Sequence, residues 1–264
     1  SISGQQDDRV TIAVDTLVVR QGQADAARLR IRILTSQASL MPTVSSASVL
    51  LSKHPSLSPQ LTTGSPSLWG QALPIPACSQ MVYPDGGEIW CSPTSVTMVL
   101  GYWTERTGIP VGACEPRVRD AVAGVYDYAY NGHGNWPFNT AYAATKGLEG
   151  YVTRLSGLDE AERWIARGIP LVVSFGWAPG QLDGAPLPSS SGHLAVLAGF
   201  DPTGNPVVYD PAAINDASVR RTYRRDQFEQ LWLSRTAGTA YIIAPTTTFD
   251  LPPRLYVPVM RNAP

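Results

Sequence analysis

Residues 78–103 read CSQMVYPDGGEIWCSPTSVTMVLGYW, and the rest of the chain is organised around them. A glutamine, a glycine-rich turn, a cysteine and a strong helical pattern follow one another without interruption. Val96, Val99, Leu100 and Trp103 recur at i, i+3, i+4 and i+7, the signature of one buried helical face. Pro93 suits the first turn of that helix, where the missing N–H costs nothing. Cys91 therefore sits at or just before a helix N-terminus. There the helix dipole and unpaired N–H groups favour an anion, so its thiol is expected to ionise more readily than a free cysteine. A thiolate on a helix start behind a flexible loop is suited to nucleophilic attack. The competing reading is a small buried hydrophobe, since cysteine is among the most buried residue types.

The bulk numbers narrow the function classes. The chain has 264 residues, 44% hydrophobic and 16% charged, with a net charge of −1. That length supports one large domain or two smaller ones. The near-zero charge argues against a nucleic-acid partner or an acidic membrane surface. No run of 18 apolar residues exists to span a bilayer. Gly and Pro, 23 each, speak for many turns and long loops. Ser1 in place of methionine fits a processed, secreted chain. A monomer is expected.

Three cysteines, Cys78, Cys91 and Cys114, suggest one pair and one free thiol in a secreted protein. The helix-start cysteine is the natural free one, which leaves Cys78 with Cys114. Such a bridge would clamp the segment carrying Cys91 and contribute about 3–4 kcal/mol by loop entropy. Three reduced thiols in a cytosolic protein is the alternative.

Upstream, residues 9–19 begin as an alternating strand with Val10, Ile12 and Val14 on one face. Residues 28–34 alternate Arg28, Arg30 and Arg32 against Leu29, Ile31 and Ile33, and 44–51 read as a third strand. Together they predict an antiparallel sheet or small sandwich with a solvated arginine row. His54 is read as a surface residue. The Pro-, Ser- and Thr-rich stretch 52–77 has no hydrophobic period and reads as a linker or wrap, with a boundary near residue 70. The expected division is a β-rich 1–70 and a catalytic 71–264.

Downstream, 114–135 read as irregular and aromatic, with Tyr126, Tyr128 and Tyr130 and a surface-loop His133. Asn139 is the expected cap of a helix running to about Lys146. A helix over 159–167, a strand over 169–175 and a long loop over 176–191 follow. His193 opens an apolar strand through Phe200, and the stretch Asp201-Pro202-Thr203-Gly204-Asn205 turns it back into 207–210. A hairpin there places His193 and Asp210 at the same open end, within about a residue of opposite. A helix over 226–233 and a strand over 239–244 come next, then a proline-rich tail.

These residues compose a thiol, an imidazole and a carboxylate. The imidazole can hold the thiolate as an ion pair and later protonate a leaving amine, while the carboxylate fixes its tautomer. The backbone N–H of Cys91 and the side-chain amide of Gln80 are placed to receive an oxyanion. Each residue also has an ordinary reading: His193 as a satisfied core histidine, Asp210 as a turn residue before Pro211, Gln80 as a loop residue. Three independent spacings converging on one mechanism favour the catalytic set.

The motifs SQ…WCSPTSVTMVLGYW and SGHLAVLAGFD…G…VVYDPA resemble the C39-like peptidases of the papain-like cysteine hydrolase superfamily. The likeness runs over about residues 74–245. NWPFNTAYAA at 135–144, RRTYRRDQFEQLWL at 220–233 and the N-terminal β region resemble secreted actinobacterial members. The resemblance implies an α+β papain-like fold with no cofactor, Cys91 as nucleophile, His193 as base, Asp210 as orienter and Gln80 in the oxyanion hole. Trp90, Ser92 and Trp136 are the candidate substrate-binding residues, although large aromatics more often belong to the core. The best-known members carry glycine after the nucleophile and are attached to membrane exporters, where they cut leader peptides after paired glycines. This chain has Ser92 and no membrane segment, so leader processing is not carried over.

The expected function is a secreted thiol hydrolase that cleaves peptide bonds in a protein or peptide substrate. Hydrolysis of Asn or Gln side-chain amides, with ammonia release, uses the same thioester chemistry and is the rival. An inactive peptide- or glycan-binding module is a third reading. A metal site on Cys91, His193 and Asp210 has no CxxC or HxxxH spacing to support it.

Overall fold

The computed structural model describes residues 6–24, 26, 28–31, 35–37, 39, 44, 47–52 and 58–248. Its strands are β1 (Val10–Ala13), β2 (Thr16–Val19), β3 (Gln71–Ala72), β4 (Glu149–Arg154), β5 (Leu171–Trp177), β6 (Ser190–Phe200), β7 (Pro206–Tyr209), β8 (Arg220–Thr222) and β9 (Thr239–Ala244). Its α-helices are α1 (Cys91–Glu105), α2 (Cys114–Val125), α3 (Trp136–Thr145), α4 (Leu158–Ala166) and α5 (Arg225–Thr236).

An antiparallel sheet in the order β4-β9-β5-β6-β7-β8, with β3 added on β6, carries the core. β5 is buried along its whole length, which is why it reads as a continuous apolar run. α1 packs on β6 and against α2 and α3, α3 covers β4, and α5 covers β5. The fold is α+β and papain-like: a helical layer whose leading helix starts at a cysteine faces a sheet that carries a histidine.

Helix α1 is enclosed more completely than its one apolar stripe predicts. Ser92, Thr94, Ser95 and Thr97 are buried with Val96 and Val99. Two of these hydroxyls bridge outward: Ser95 Oγ donates to the Leu194 carbonyl at 3.1 Å and Thr97 Oγ1 to that of Arg117 at 3.4 Å. The stretch read as irregular, 114–135, begins as helix α2. Val118, Ala121 and Val125 form its buried face, a pattern that Pro116 and Gly124 obscure in the sequence. The disulfide joins Cys78 to Cys114 at the start of that helix and leaves Cys91 free. Helix α3 is capped one turn earlier than expected, by Asn135, whose side chain accepts from Phe138 N at 3.1 Å. Asn139 lies buried inside the helix and donates to the carbonyls of His133 and Asn135.

The N-terminal β region, among the described residues, is a two-stranded antiparallel hairpin. The chain reverses at Val14-Asp15, with Val14 at φ 56°, so 9–19 is two strands and not one. Residues 28–31, 44 and 47–51 are not in strands. Arg32, the remainder of the two other expected strands, His54 and the tail beyond 248 lie outside the described residues. The hairpin tip docks on the core, where Asp15 Oδ2 accepts from Trp136 N at 2.9 Å. Burial raises the Asp15 carboxyl pKa against the lowering effect of its hydrogen bonds.

The polar stretch before β3 is strapped down by two buried carboxylates. Glu229 accepts from Thr62 N and Oγ1 at 3.0 and 2.6 Å, and Glu162 from Ser65 N and Trp69 Nε1 at 2.7 Å each. Arg225 Nη1 pairs with Glu162 at 2.7 Å. Its order comes from long-range hydrogen bonds, which leave no periodic trace in the sequence.

Candidate active site

Cys91 is the first residue of α1, with Trp90 in the cap position and no side chain bonded to the free N–H groups there. The thiol is only partly buried. A short 3₁₀ turn, Gly87–Ile89, leads into it, and glycine is needed at its start. A Cβ at Gly87 would stand 2.0 Å from the Gln80 carbonyl oxygen. Gly86, at φ 134°, adopts a backbone that L side chains avoid.

Gln80 is fixed on both sides. Its backbone N donates to the Pro211 carbonyl at 2.8 Å, and its Nε2 to the Gly87 carbonyl at 2.8 Å. An amide nitrogen carries two N–H donors, so one remains for a ligand. Ser79 anchors the same segment, its N on Asp216 Oδ1 at 2.6 Å and its Oγ on the Ala213 carbonyl. Residues 79–80 are thus bolted to the 211–216 loop that directly follows Asp210.

His193 lies on β6, buried, with Nε2 2.8 Å from Asp210 Oδ1. The Val196↔Tyr209 register sets Asp210 diagonal to His193 on the same sheet face, two positions from directly opposite. The side chains still meet, because diagonal neighbours on one face are within reach of long side chains. With Nε2 taken, Nδ1 is the nitrogen left for Cys91, whose sulfur lies near enough to act on the charge of the ring. Burial works against a charged imidazole. The Asp210 carboxylate and its hydrogen bond, aided by Cys91, outweigh it and raise the His193 pKa to about 10.

Asp210 is buried and fully engaged. Oδ1 also accepts from Ala212 N at 2.9 Å, and Oδ2 accepts from the Tyr223 hydroxyl at 2.7 Å. Burial would raise its pKa, but the His193 charge and these three donors hold it below the ordinary carboxylate value. Burial and the Asp210 charge push the Tyr223 phenol well above its usual range, so it stays a donor. Two aromatic rings meet the imidazole edge-on: Phe175, its partner in the β5–β6 register, at 5.5 Å, and Trp177 at 5.4 Å. Trp177 is held by Nε1 on the Leu187 carbonyl, in the loop between β5 and β6.

The other expected residues are placed unequally. Trp90 is buried beside Cys91, and Trp136 is half-buried at the start of α3. Ser92 is turned inward, its hydroxyl 3.0 Å from that of Tyr241, so its side chain is not presented to a substrate. His133 is no free surface residue; its ring stands 6.1 Å from Trp90 and 5.1 Å from Tyr126. Tyr223, Phe175 and Trp177 went unnoticed in the sequence. Trp177 closes the apolar run of β5, a signal that was available. Tyr223 follows β8, a strand of three residues and too short to leave a pattern.

Among the described residues, no group of three His, Cys, Asp or Glu is arranged to hold a metal ion, and no helix is long and apolar enough to cross a membrane.

Residues 72–240, which contain Gln80, Cys91, His193 and Asp210, match the model of the Peptidase_C39 like family. The chain belongs to the Peptidase_C39 like family. No curated protein matches this C39-like chain. Several solved structures are similar to it. One is a double glycine motif protease from an AMS/PCAT transporter, in complex with the leader peptide: 19% identity, 70% of this chain and 97% of that one, TM-score 0.41. A C39-like peptidase from Bacillus anthracis shares 17% over 64% of this chain and 94% of that one, TM-score 0.42. Xylellain, a cysteine protease from Xylella fastidiosa, shares 12% over 74% and 99%, TM-score 0.37.

Proposed function

We propose that this C39-like chain is a secreted cysteine peptidase whose catalytic unit, residues 71–264, works through Cys91, His193, Asp210 and Gln80. The observation that carries the reading is His193 itself: one imidazole bonded through Nε2 to a buried carboxylate and electrostatically coupled to a partly exposed cysteine.

In this mechanism His193 takes the Cys91 proton on Nδ1. The sulfur attacks the scissile carbonyl carbon, a C–S bond forms, and the C=O electron pair moves to oxygen. The second N–H of Gln80 and the backbone N–H of Cys91, which has no intrahelical acceptor at a helix start, receive that oxyanion. Its collapse breaks the C–N bond, and the imidazolium gives its proton to the departing amine. Water then attacks the thioester with His193 as base, and the C–S bond breaks to release the acid. Asp210, held by Tyr223 and Ala212, keeps the ring oriented throughout. The disulfide supports an oxidising compartment, hence secretion.

The test uses a denatured protein as substrate, with new N-termini and ammonia assayed in parallel for the native chain and Cys91→Ala. New N-termini that vanish in Cys91→Ala are expected. Ammonia with an intact backbone would replace the peptidase by a protein amidase.

A further inference from the structure

The chain joins the catalytic sheet at one end, and its N-terminal hairpin docks at the other. β3 pairs with Gly199 and Phe200, the end of β6 remote from His193. The registers Phe175↔His193, Val173↔Ala240 and Arg154↔Thr239 gather His193, the start of β9 and the end of β4 at the opposite end. Residues upstream of β3 return to that second end. Arg154 Nη1 donates to Ser52 Oγ, and the carboxylate of Asp15, in the turn between β1 and β2, acts on the same guanidinium.

Asp15 also reaches the surroundings of Cys91. Its Oδ2 accepts from the backbone N of Trp136, the first residue of α3, at 2.9 Å. The buried Tyr241 phenol, whose oxygen stands 3.0 Å from Ser92 Oγ, feels the charges of both Cys91 and Asp15. The hairpin tip therefore lies among the start of α3, the end of β4 and the residue that follows the nucleophile. The catalytic mechanism uses no carboxylate there, and a negative charge on that side works against a thiolate.

The hairpin is held by its tip. β1 and β2 form a sheet of their own, and none of residues 10–19 is fully buried. Among the described residues, neither strand packs broadly on any other helix or strand. A two-stranded hairpin alone is marginal in water, so this one keeps its place through a few contacts and its covalent link. The link makes those contacts intramolecular, and few of them then suffice. Contacts so few would dilute away once the chain is cut after β2, where residues 21–24 are exposed.

Resting on the peptidase reading, we propose that the β1–β2 hairpin is a built-in inhibitor of this enzyme. Its tip, Val14-Asp15, takes the ground between the start of α3 and the end of β4 that a polypeptide must cross to reach Cys91. Activity rises when the hairpin leaves.

The test starts from the folded full chain, with the recognition sequence of a site-specific protease inserted between Gly22 and Gln23. Cys91 is the free cysteine, so thiol labelling reads its surroundings without any turnover. After cutting and dilution, labelling by a maleimide on a polyethylene glycol chain should speed up about tenfold or more relative to iodoacetamide. That is the worth of one hydrogen bond to a charged group. Cleavage of a denatured protein should rise in step, through KM rather than kcat. Asp15→Ala in the uncut chain should give a smaller rise in both. A synthetic peptide of residues 8–20 should inhibit the cut enzyme competitively, and the same peptide with Asp15→Ala should not. Labelling and kcat/KM that stay unchanged in both the cut chain and Asp15→Ala overturn the inhibitor. A loss of activity on cutting also overturns it, since the hairpin would then support the site. Faster labelling with no turnover in any form would leave the hairpin as a cover on Cys91 and sink the peptidase reading instead.

Discussion

The hydroxyl of Tyr223 donates at 2.7 Å to Oδ2 of Asp210, the carboxylate oxygen that His193 does not use. Tyr223 is buried and in no other way polar. Removing the donor in Tyr223→Phe leaves that oxygen buried and unbonded, a loss of about 1–3 kcal/mol in stability. The Asp210 carboxyl should also become less acidic, moving the acid limb of kcat/KM to higher pH. A pH–rate profile and a urea titration of the variant measure both.

Asp210→Asn removes the charge that raises His193. The basic limb of activity, set by His193 near pH 10, should fall by at least about one unit, and kcat by roughly a hundredfold or more. The same pair sets the pH dependence of folding. His193 is raised above its ordinary 6.5, so its contribution is complete below pH 6.5 and is lost as pH climbs through about 10. Asp210 is lowered below its ordinary 3.8, so its contribution is complete above 3.8 and is lost as pH drops through its lower folded value. The stability gap between the native chain and Asp210→Asn should therefore be widest between pH 3.8 and 6.5. On the basic side it should narrow by about 1.4 kcal/mol per unit at most. Urea midpoints from pH 3 to 10 test this.

The helix-start cysteine and the β6–β7 hairpin were legible because each rests on a local rule: apolar spacing after Cys91, and a turn-forming Asp201-to-Asn205 stretch after Phe200. The diagonal offset between His193 and Asp210 was not: the Phe200↔Pro206 pairing that closes the turn would set Asp210 three positions from opposite His193, and the register shift between Leu197 and Gly199, which has no marker in the residues, brings it to two. Helix α2 was hidden by the proline and glycine inside it. The hairpin at Val14 was hidden because a β-branched residue at positive φ breaks the rule that locates turns. Tyr223 and the strap at 62–65 depend on contacts between segments far apart in the chain, which no window on the sequence contains.

Gly87→Ala tests the seating of Gln80. Its Cβ would fall 2.0 Å from the Gln80 carbonyl, so the segment must shift and carry the amide with it. Activity should drop by about a hundred- to a thousandfold, the range for a lost oxyanion donor, while circular dichroism stays native. Full activity would mean Gln80 is not needed where it sits.

Reduction of the Cys78–Cys114 bridge, or its replacement by serines, should cost about 3–4 kcal/mol for its separation of 36 residues. Chemical unfolding with and without reductant reads this out. The α1 start is expected to lose activity before the sheet unfolds, because the bridge ties residues 78–80 to α2 and the sheet does not depend on it.

The most direct measurement is mass spectrometry of the chain quenched during turnover, followed by peptide mapping. The acyl half of the substrate is expected on the Cys91 sulfur, absent in Cys91→Ala and strongly reduced in His193→Ala. Hydrolysis that continues at the native rate in Cys91→Ala, with no acylated cysteine at any time, would contradict it.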